Sequence, residues 1–177
     1  GGGGSAFLGG ISKNFGSNLV LGPGDRLAVE ADEFDRSFLQ LHPDVAVVTA
    51  ADPDHLDIYG TPEAFREAFS TFVSQIKPGG ALILKAGVEL KIDNPDIRVY
   101  RYSYDTPADF YARNIRLVGG GHYRFDLVCP DRVIGDCTLG VPGRVNIENC
   151  VGAVAMLWVA GFDEEKLREA MASFSGV

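Results

Sequence analysis

DVAVVTAADPDHLDIYGTPEAFREAFSTFVSQIKPGGALILK, residues 44–85, holds the pattern that decides the fold. Val45-Ala46-Val47-Val48 is apolar and largely β-branched, with no polar alternation. Such a run predicts a strand buried on both faces, as in a parallel sheet. It gives way to a loop rich in acids, Asp52, Asp54 and Asp57. Thr61 then offers an N-cap and Pro62 suits the first helical position. Phe65, Phe69, Phe72, Val73 and Ile76 recur at helical spacing, so one stripe faces a core. Pro78-Gly79-Gly80 stops the helix, and Ala81 to Leu84 reads as a second buried strand. Strand, loop, helix, strand is a βαβ unit, which places the two strands parallel.

Working outward, Arg98 to Tyr102 is a further short strand. From about Asp109 to Leu139 polar and apolar residues alternate, broken at Gly119-Gly120-Gly121 and at Pro130-Asp131. This predicts an antiparallel meander at the end of the sheet. After Pro142-Gly143, a helix is expected over Asn146 to Ala160, with Gly152, Ala153 and Ala155 on one side. Asp163 caps a last helix, Glu164 to Phe174. Upstream, Ala6 to Gly24 is rich in Gly, Ser and Asn and predicts loops, turns and short edge strands. Leu27-Ala28-Val29 ends in Glu30, Asp32, Glu33 and Asp35. The opening GGGGS, residues 1–5, reads as an engineered linker outside the fold, leaving 6–177 as the domain. The fold class expected is α/β: a mostly parallel sheet with flanking helices and a small antiparallel meander.

The chain's 177 residues suit one domain with a sizeable core. A net charge of −8 argues against a nonspecific nucleic-acid binder, which needs clustered Lys and Arg, and suits a site that gathers divalent cations. No apolar run approaches the roughly 20 residues of a membrane span. No secretory signal is evident, so the default compartment is the cytoplasm. Cys129, Cys137 and Cys150 are odd in number and lack C-x-x-C spacing, which favours free, partly buried thiols.

In open parallel sheets ligands gather beyond the carboxyl ends of the strands. Glu30 follows one apolar run directly, and His55 follows the Val45 strand after a few residues. If those strands are neighbours, the two side chains approach one point. A carboxylate there suits Mg²⁺, which prefers oxygen and bridges to phosphates. An imidazole suits Mn²⁺ or Zn²⁺ better on softness alone. Taken singly, acids after strands more often face water or cap helices. Lys13, in GGISKN, has the surroundings of a phosphate-binding lysine, but no G-x-x-x-x-G-K-[ST] occurs in the chain. Asn146 and Asn149 lie one turn apart at a helix start, where an N-cap plus a surface amide is the plain alternative.

FLGGISKNFGSN, VEADEFDRSFLQLHPDVAVVTAADPDHLDIYG and PGRVNIENCVGAVA occur in this order and cover most of the chain. Together they resemble the central, ATP-binding domain of the Mur ligases, on the branch that adds L-alanine. The resemblance implies that ATP phosphorylates the carboxylate of UDP-N-acetylmuramate. The amine of L-alanine then attacks the acyl phosphate, and phosphate leaves. It implies Glu30, opening the EADE motif, and His55, of the DH-L/M-D motif, as Mg²⁺ ligands. It implies Asn146 and Asn149 as amides that hold adenine, and Lys13 and Asn14 as residues of a loop facing the uridylate substrate. Val145 stands where the family has histidine. The family's G-T-H-G-K-T-T type phosphate loop is expected ahead of AFLGG and is not among these residues. The expectation is therefore a ligase fragment inactive by itself, paired with itself across sheet edges left open. The alternative is an engineered binding or scaffold module without catalysis. A Rossmann-type methyltransferase fails, because no G-x-G-x-G loop precedes Glu30.

Overall fold

A computed structural model describes residues 3–53 and 56–176. It holds two sheets. The larger has six strands in the order β4-β5-β6-β7-β8-β9: β4 (Val45–Val48), β5 (Ala81–Lys85), β6 (Arg98–Ser103), β7 (Phe110–Gly119), β8 (His122–Val128) and β9 (Val133–Thr138). Neighbours from β4 through β7 are parallel; β8 runs against both β7 and β9. The predicted meander is thus not merely packed at the sheet's end, because β7 is hydrogen-bonded into it beside β6. Two antiparallel steps return β9 to the direction of β4 to β7, so its carboxyl end shares their rim.

Helices cover both faces. Helix α1 (Leu56–Tyr59) leads into α2 (Pro62–Ser74), where the Thr61 hydroxyl accepts from the Ala64 N–H at 3.1 Å and Pro62 stands in the first turn, as expected. Phe65, Phe69, Phe72 and Val73 of α2 pack with Ile76, Leu82 and Leu84 in one core. Ile83 points the other way, into a second core with helices α3 (Arg144–Val159) and α4 (Glu164–Ser173). Asp163 caps α4 by accepting from the Lys166 N–H at 2.9 Å. The alternation along β5, wholly buried from Ala81 to Leu84, is the mark of a strand covered on both faces. β4 differs from expectation. Only Ala46 and Val48 are buried and its valines at 45 and 47 are half-covered, because β4 ends the sheet and has one neighbour.

The smaller sheet has the order β2-β1-β3, from β1 (Ser5–Ser12), β2 (Ser17–Val20) and β3 (Leu27–Val29). Here β1 is the central strand rather than an edge, antiparallel to β2 and parallel to β3. It begins at Ser5, inside the stretch that reads as a linker. Ser5 pairs with Leu27 in the ladder and donates its N–H to the Arg26 carbonyl at 2.8 Å, and the Gly3 carbonyl accepts from Gly24 at 2.7 Å. The glycines fit because the backbones are close: a Cβ on Gly22 would stand 2.1 Å from the Gly3 oxygen. Phe7, Ile11, Leu19, Leu21 and Leu27 of this region are exposed. Among the described residues it is tied to the rest by the Arg26 guanidinium over the Phe162 ring at 4.8 Å, by the Lys13 N–H to the Gly176 carbonyl at 2.9 Å, and by the Asn14 amide described below.

No described helix is long and apolar enough to cross a membrane. All three cysteines are free and buried. Burial pushes Cys129 and Cys150 up to about 12 and Cys137 to about 11, so they stay protonated thiols.

Candidate functional site

The rim where β4 and β5 end opens into a cleft of about 600 Å³, walled by Thr49, Asp52, Arg66, Lys85 and Glu89 among others. A neighbouring cavity of about 360 Å³ shares Thr49 and Asp52, adds Glu33, and is floored by Phe38, Phe65 and Phe69. Its second wall is the segment after β3. Phe38 packs its ring 5.2 Å from those of Phe69 and Phe72, the Tyr59 hydroxyl donates to the Glu33 carbonyl, and Arg36 donates to the Ile58 carbonyl at 3.0 Å. The acidic segment 31–38 is therefore folded onto α1 and α2 rather than loose in solvent.

Glu30 stands at the carboxyl end of β3, where its N–H completes the ladder to the Phe7 carbonyl at 2.9 Å. Its carboxylate turns back over β1 and accepts from the Gly9 N–H at 2.8 Å. Glycine at position 9 is required for this approach, since a Cβ there would lie 2.9 Å from Oε1. The condition that the β3 and β4 strands be neighbours does not hold: β3 pairs with β1, in the other sheet. Parallel pairing to β1 satisfies the short apolar run equally well, and nothing local in Leu27-Ala28-Val29 selects one partner. Asp54 and His55 lie outside the described residues. Among the described residues no group of three or more His, Cys, Asp or Glu side chains is arranged to hold a metal ion. Glu30 offers one oriented carboxylate. That suits Mg²⁺, which commonly takes one or two carboxylates and completes its shell with water and phosphate oxygens.

The loop after β9 returns to the same rim and starts α3 there. Its conformation is fixed from three sides. Gly143 donates to the Gly121 carbonyl of the β7–β8 hairpin at 3.0 Å, His122 Nδ1 lies 3.3 Å from the Leu139 oxygen, and Gly140 donates to the Met171 carbonyl at 3.0 Å. Asn146 and Asn149 sit in the first turns of α3, three residues apart and so on one side of the helix. Asn149 is exposed; Asn146 is half-buried and donates to the Pro142 carbonyl at 2.6 Å. Val145, beside them, is exposed. Between the asparagines, Glu148 reaches the end of β5 and pairs with Lys85 at 2.9 Å. Sequence reasoning missed Lys85. Its signal was only a lysine closing a buried strand.

Lys13 and Asn14 lie in the β1–β2 turn. The Asn14 amide donates to the Ser173 carbonyl at 2.6 Å, and its oxygen accepts from the Ser175 N–H at 2.8 Å and hydroxyl at 2.9 Å. In this structure Asn14 therefore grips the segment that follows α4. Lys13 Nζ stands near that segment too, 3.7 Å from where a Cβ on Gly176 would be.

Residues 25–157 match the Mur ligase middle domain. The chain is 51% identical over 174 residues to the UDP-N-acetylmuramate–L-alanine ligase of Parabacteroides distasonis, covering 97% of this chain and 37% of that protein. It is 40% identical over 174 residues to the same ligase of Flavobacterium johnsoniae, covering 98% of this chain and 37% of that one. It thus spans little more than a third of the curated relatives it matches. Among solved structures, the fold superposes with a TM-score of 0.82 on UDP-N-acetylmuramate:L-alanyl-gamma-D-glutamyl-meso-diaminopimelate ligase from Neisseria meningitides, at 22% identity, over 100% of this chain and 59% of that one. For the UDP-N-acetylmuramate–alanine ligase of Thermotoga maritima the TM-score is 0.80 at 23% identity, over 98% of this chain and 39% of that one. Because the family's middle domain matches residues 25–157, most of the chain, the chain belongs to the Mur ligase family.

Proposed function

We propose that this chain is the adenine-holding and metal-presenting part of a cytoplasmic, ATP-dependent carboxylate–amine ligase that joins L-alanine to UDP-N-acetylmuramate in peptidoglycan synthesis. One observation supports the reading: α3, which carries Asn146 and Asn149 in its first turns, is tied by the 2.9 Å Glu148–Lys85 pair to a lysine that walls the rim cleft. Carboxamides there can donate to and accept from a purine edge. Glu30, and His55 with it, would hold Mg²⁺, whose charge eases the approach of a polyphosphate to a carboxylate. The hydrogen bond from Gly9 orients Oε2 of Glu30 and leaves Oε1 as a lone-pair donor, an arrangement typical of ligating carboxylates. Lys13 and Asn14 would face the uridylate substrate from the β1–β2 turn. Without a phosphate-cradling glycine loop among its residues, the chain by itself binds nucleotide and does not ligate. The exposed apolar side chains of the small sheet, Phe7 and Leu19 among them, support self-association of the isolated chain.

Calorimetric titration with ATP, with and without Mg²⁺, tests this reading. Saturable binding that is strengthened by Mg²⁺, and weakened in Asn146→Ala and Glu30→Gln, is the expected result. No binding in either condition refutes it and leaves the scaffold alternative. Sedimentation of a clean monomer at high concentration refutes the self-association, and alanine-dependent turnover of ATP refutes the inactivity.

A further inference from the structure

Helix α3 begins without the usual local supports. Its N-cap is Gly143, no side chain caps it, and its first turn holds no acidic residue to meet the dipole. The position of its first turns is therefore set by tertiary contacts. One is the Lys85–Glu148 ion pair, 2.9 Å long and half-exposed, which joins the last residue of β5 to the second turn of α3. Another is Gly152, seated against Tyr102 of β6 so closely that a Cβ would lie 3.1–3.4 Å from the ring and its hydroxyl oxygen. Gly152 fixes how near α3 lies to the sheet. Ile147, Cys150 and Val151 are buried in the core beneath the helix, and Glu148, between the two asparagines in sequence, adds a charged tie from these turns to β5.

We propose that the Lys85–Glu148 pair is the positioning element of the nucleotide site, holding Asn146 and Asn149 in register with the rim cleft that Lys85 itself helps to wall. This deepens the nucleotide reading and rests on it. Both residues act through the asparagines and not on the ligand. Lys85 is a point charge on a flexible stem, so the tie depends on opposite charges at the two sites rather than on which site carries which. That separates it from a direct contact between Lys85 and a phosphate, which needs the positive charge at position 85.

The test uses the full chain, ¹⁵N-labelled and titrated with ATP, following the side-chain amide signals of Asn146 and Asn149. The wild-type chain is expected to give saturable shifts. Lys85→Met and Glu148→Gln should each weaken apparent affinity roughly three- to fivefold, the scale of one half-exposed pair. Lys85→Arg should keep wild-type affinity, and the reversed pair K85E/E148K should return to within about twofold of it. Single variants that bind like wild type overturn the inference while the nucleotide reading stands. A reversed pair as weak as Lys85→Met also overturns it, in favour of direct contact. A wild-type chain without saturable shifts overturns the nucleotide reading and this inference together. Urea midpoints measured alongside exclude unfolding as the cause.

Discussion

Replacing Gly143 by alanine isolates the backbone cost of starting α3 on the rim. Gly143 has φ +96° and ψ +141°, outside the regions that L side chains populate. The added methyl has room, since its nearest neighbour would be Asn146 Nδ2 at 3.7 Å, an ordinary contact. The cost is therefore torsional. Residues held in such regions carry on the order of 1–3 kcal/mol of strain. Alanine also restricts the unfolded chain, which returns about 0.4–1 kcal/mol. The net expectation is a destabilisation of about 1–2 kcal/mol, a loss of roughly 0.5–1 M in urea midpoint for an m-value near 2 kcal/mol/M. Urea unfolding followed by far-UV circular dichroism measures it. The same cost should persist in an Asn146→Ala background, because no clash with that amide is involved. A variant as stable as wild type, or a cost that disappears when Asn146 is truncated, refutes the reasoning.

Further outcomes follow from the packing and the titrating groups. Leu82→Ala and Ile83→Ala are each expected to cost about 2–5 kcal/mol in urea unfolding, since adjacent side chains of β5 fill opposite cores; if one were cheap, one face of the sheet would be uncovered. The three thiols ionise near 8.5 when unfolded and far higher when folded, so above that pH the unfolded state binds fewer protons and stability falls as pH rises. Iodoacetamide at pH 7.5 should accordingly leave all three unmodified until denaturant is added, as mass spectrometry would read. Asp163 is held below the ordinary carboxylate range by the Lys166 N–H, so its support of α4 is complete above about pH 4 and lost on further acidification. Asp163→Asn, which keeps the cap without the charge, should flatten that acid limb.

What could be read from the letters was what repeats locally. The βαβ unit of residues 44–85, the Thr61 and Asp163 caps and the meander are each set by neighbours a few positions apart, and each forms. The sequence starts α3 at Asn146, two residues late, because Pro142-Gly143 reads as a turn until the Gly121 contact shows the helix beginning at once. Non-local pairing was out of reach. Leu27-Ala28-Val29 pairs with β1, and β4 closes the sheet, although both runs carry the same apolar signal; partner choice is a property of the whole chain. Residues 3–5 read as spacer because glycine lacks a side-chain pattern, yet their backbone packs against residues 22–26. Glu30 was legible as a residue, while the Gly9 N–H that aims it became visible only once β1 and β3 lay side by side.

The two amide-bearing parts of the candidate site are mechanically continuous. Asn14 in the β1–β2 turn holds Ser173 and Ser175, the segment before them meets Gly140 through the Met171 carbonyl, and two residues on from Gly140 the Pro142 carbonyl accepts from Asn146. Loss of affinity for a ligand after Asn14 is changed is therefore no proof that Asn14 touches the ligand. Asn14→Ala removes three hydrogen bonds to that segment, each worth about 0.5–1.5 kcal/mol at most where water can replace it. The expected result is local: faster hydrogen exchange at the Gly140 and Gly143 amides, with the β5 amides unchanged. A ligand contact by Asn14 alone would instead leave exchange at 140–143 as in the wild type while affinity fell. Exchange in the unliganded chain thus separates a structural strap from a binding residue before any substrate is added, and unchanged protection at Gly140 would remove the strap from the account.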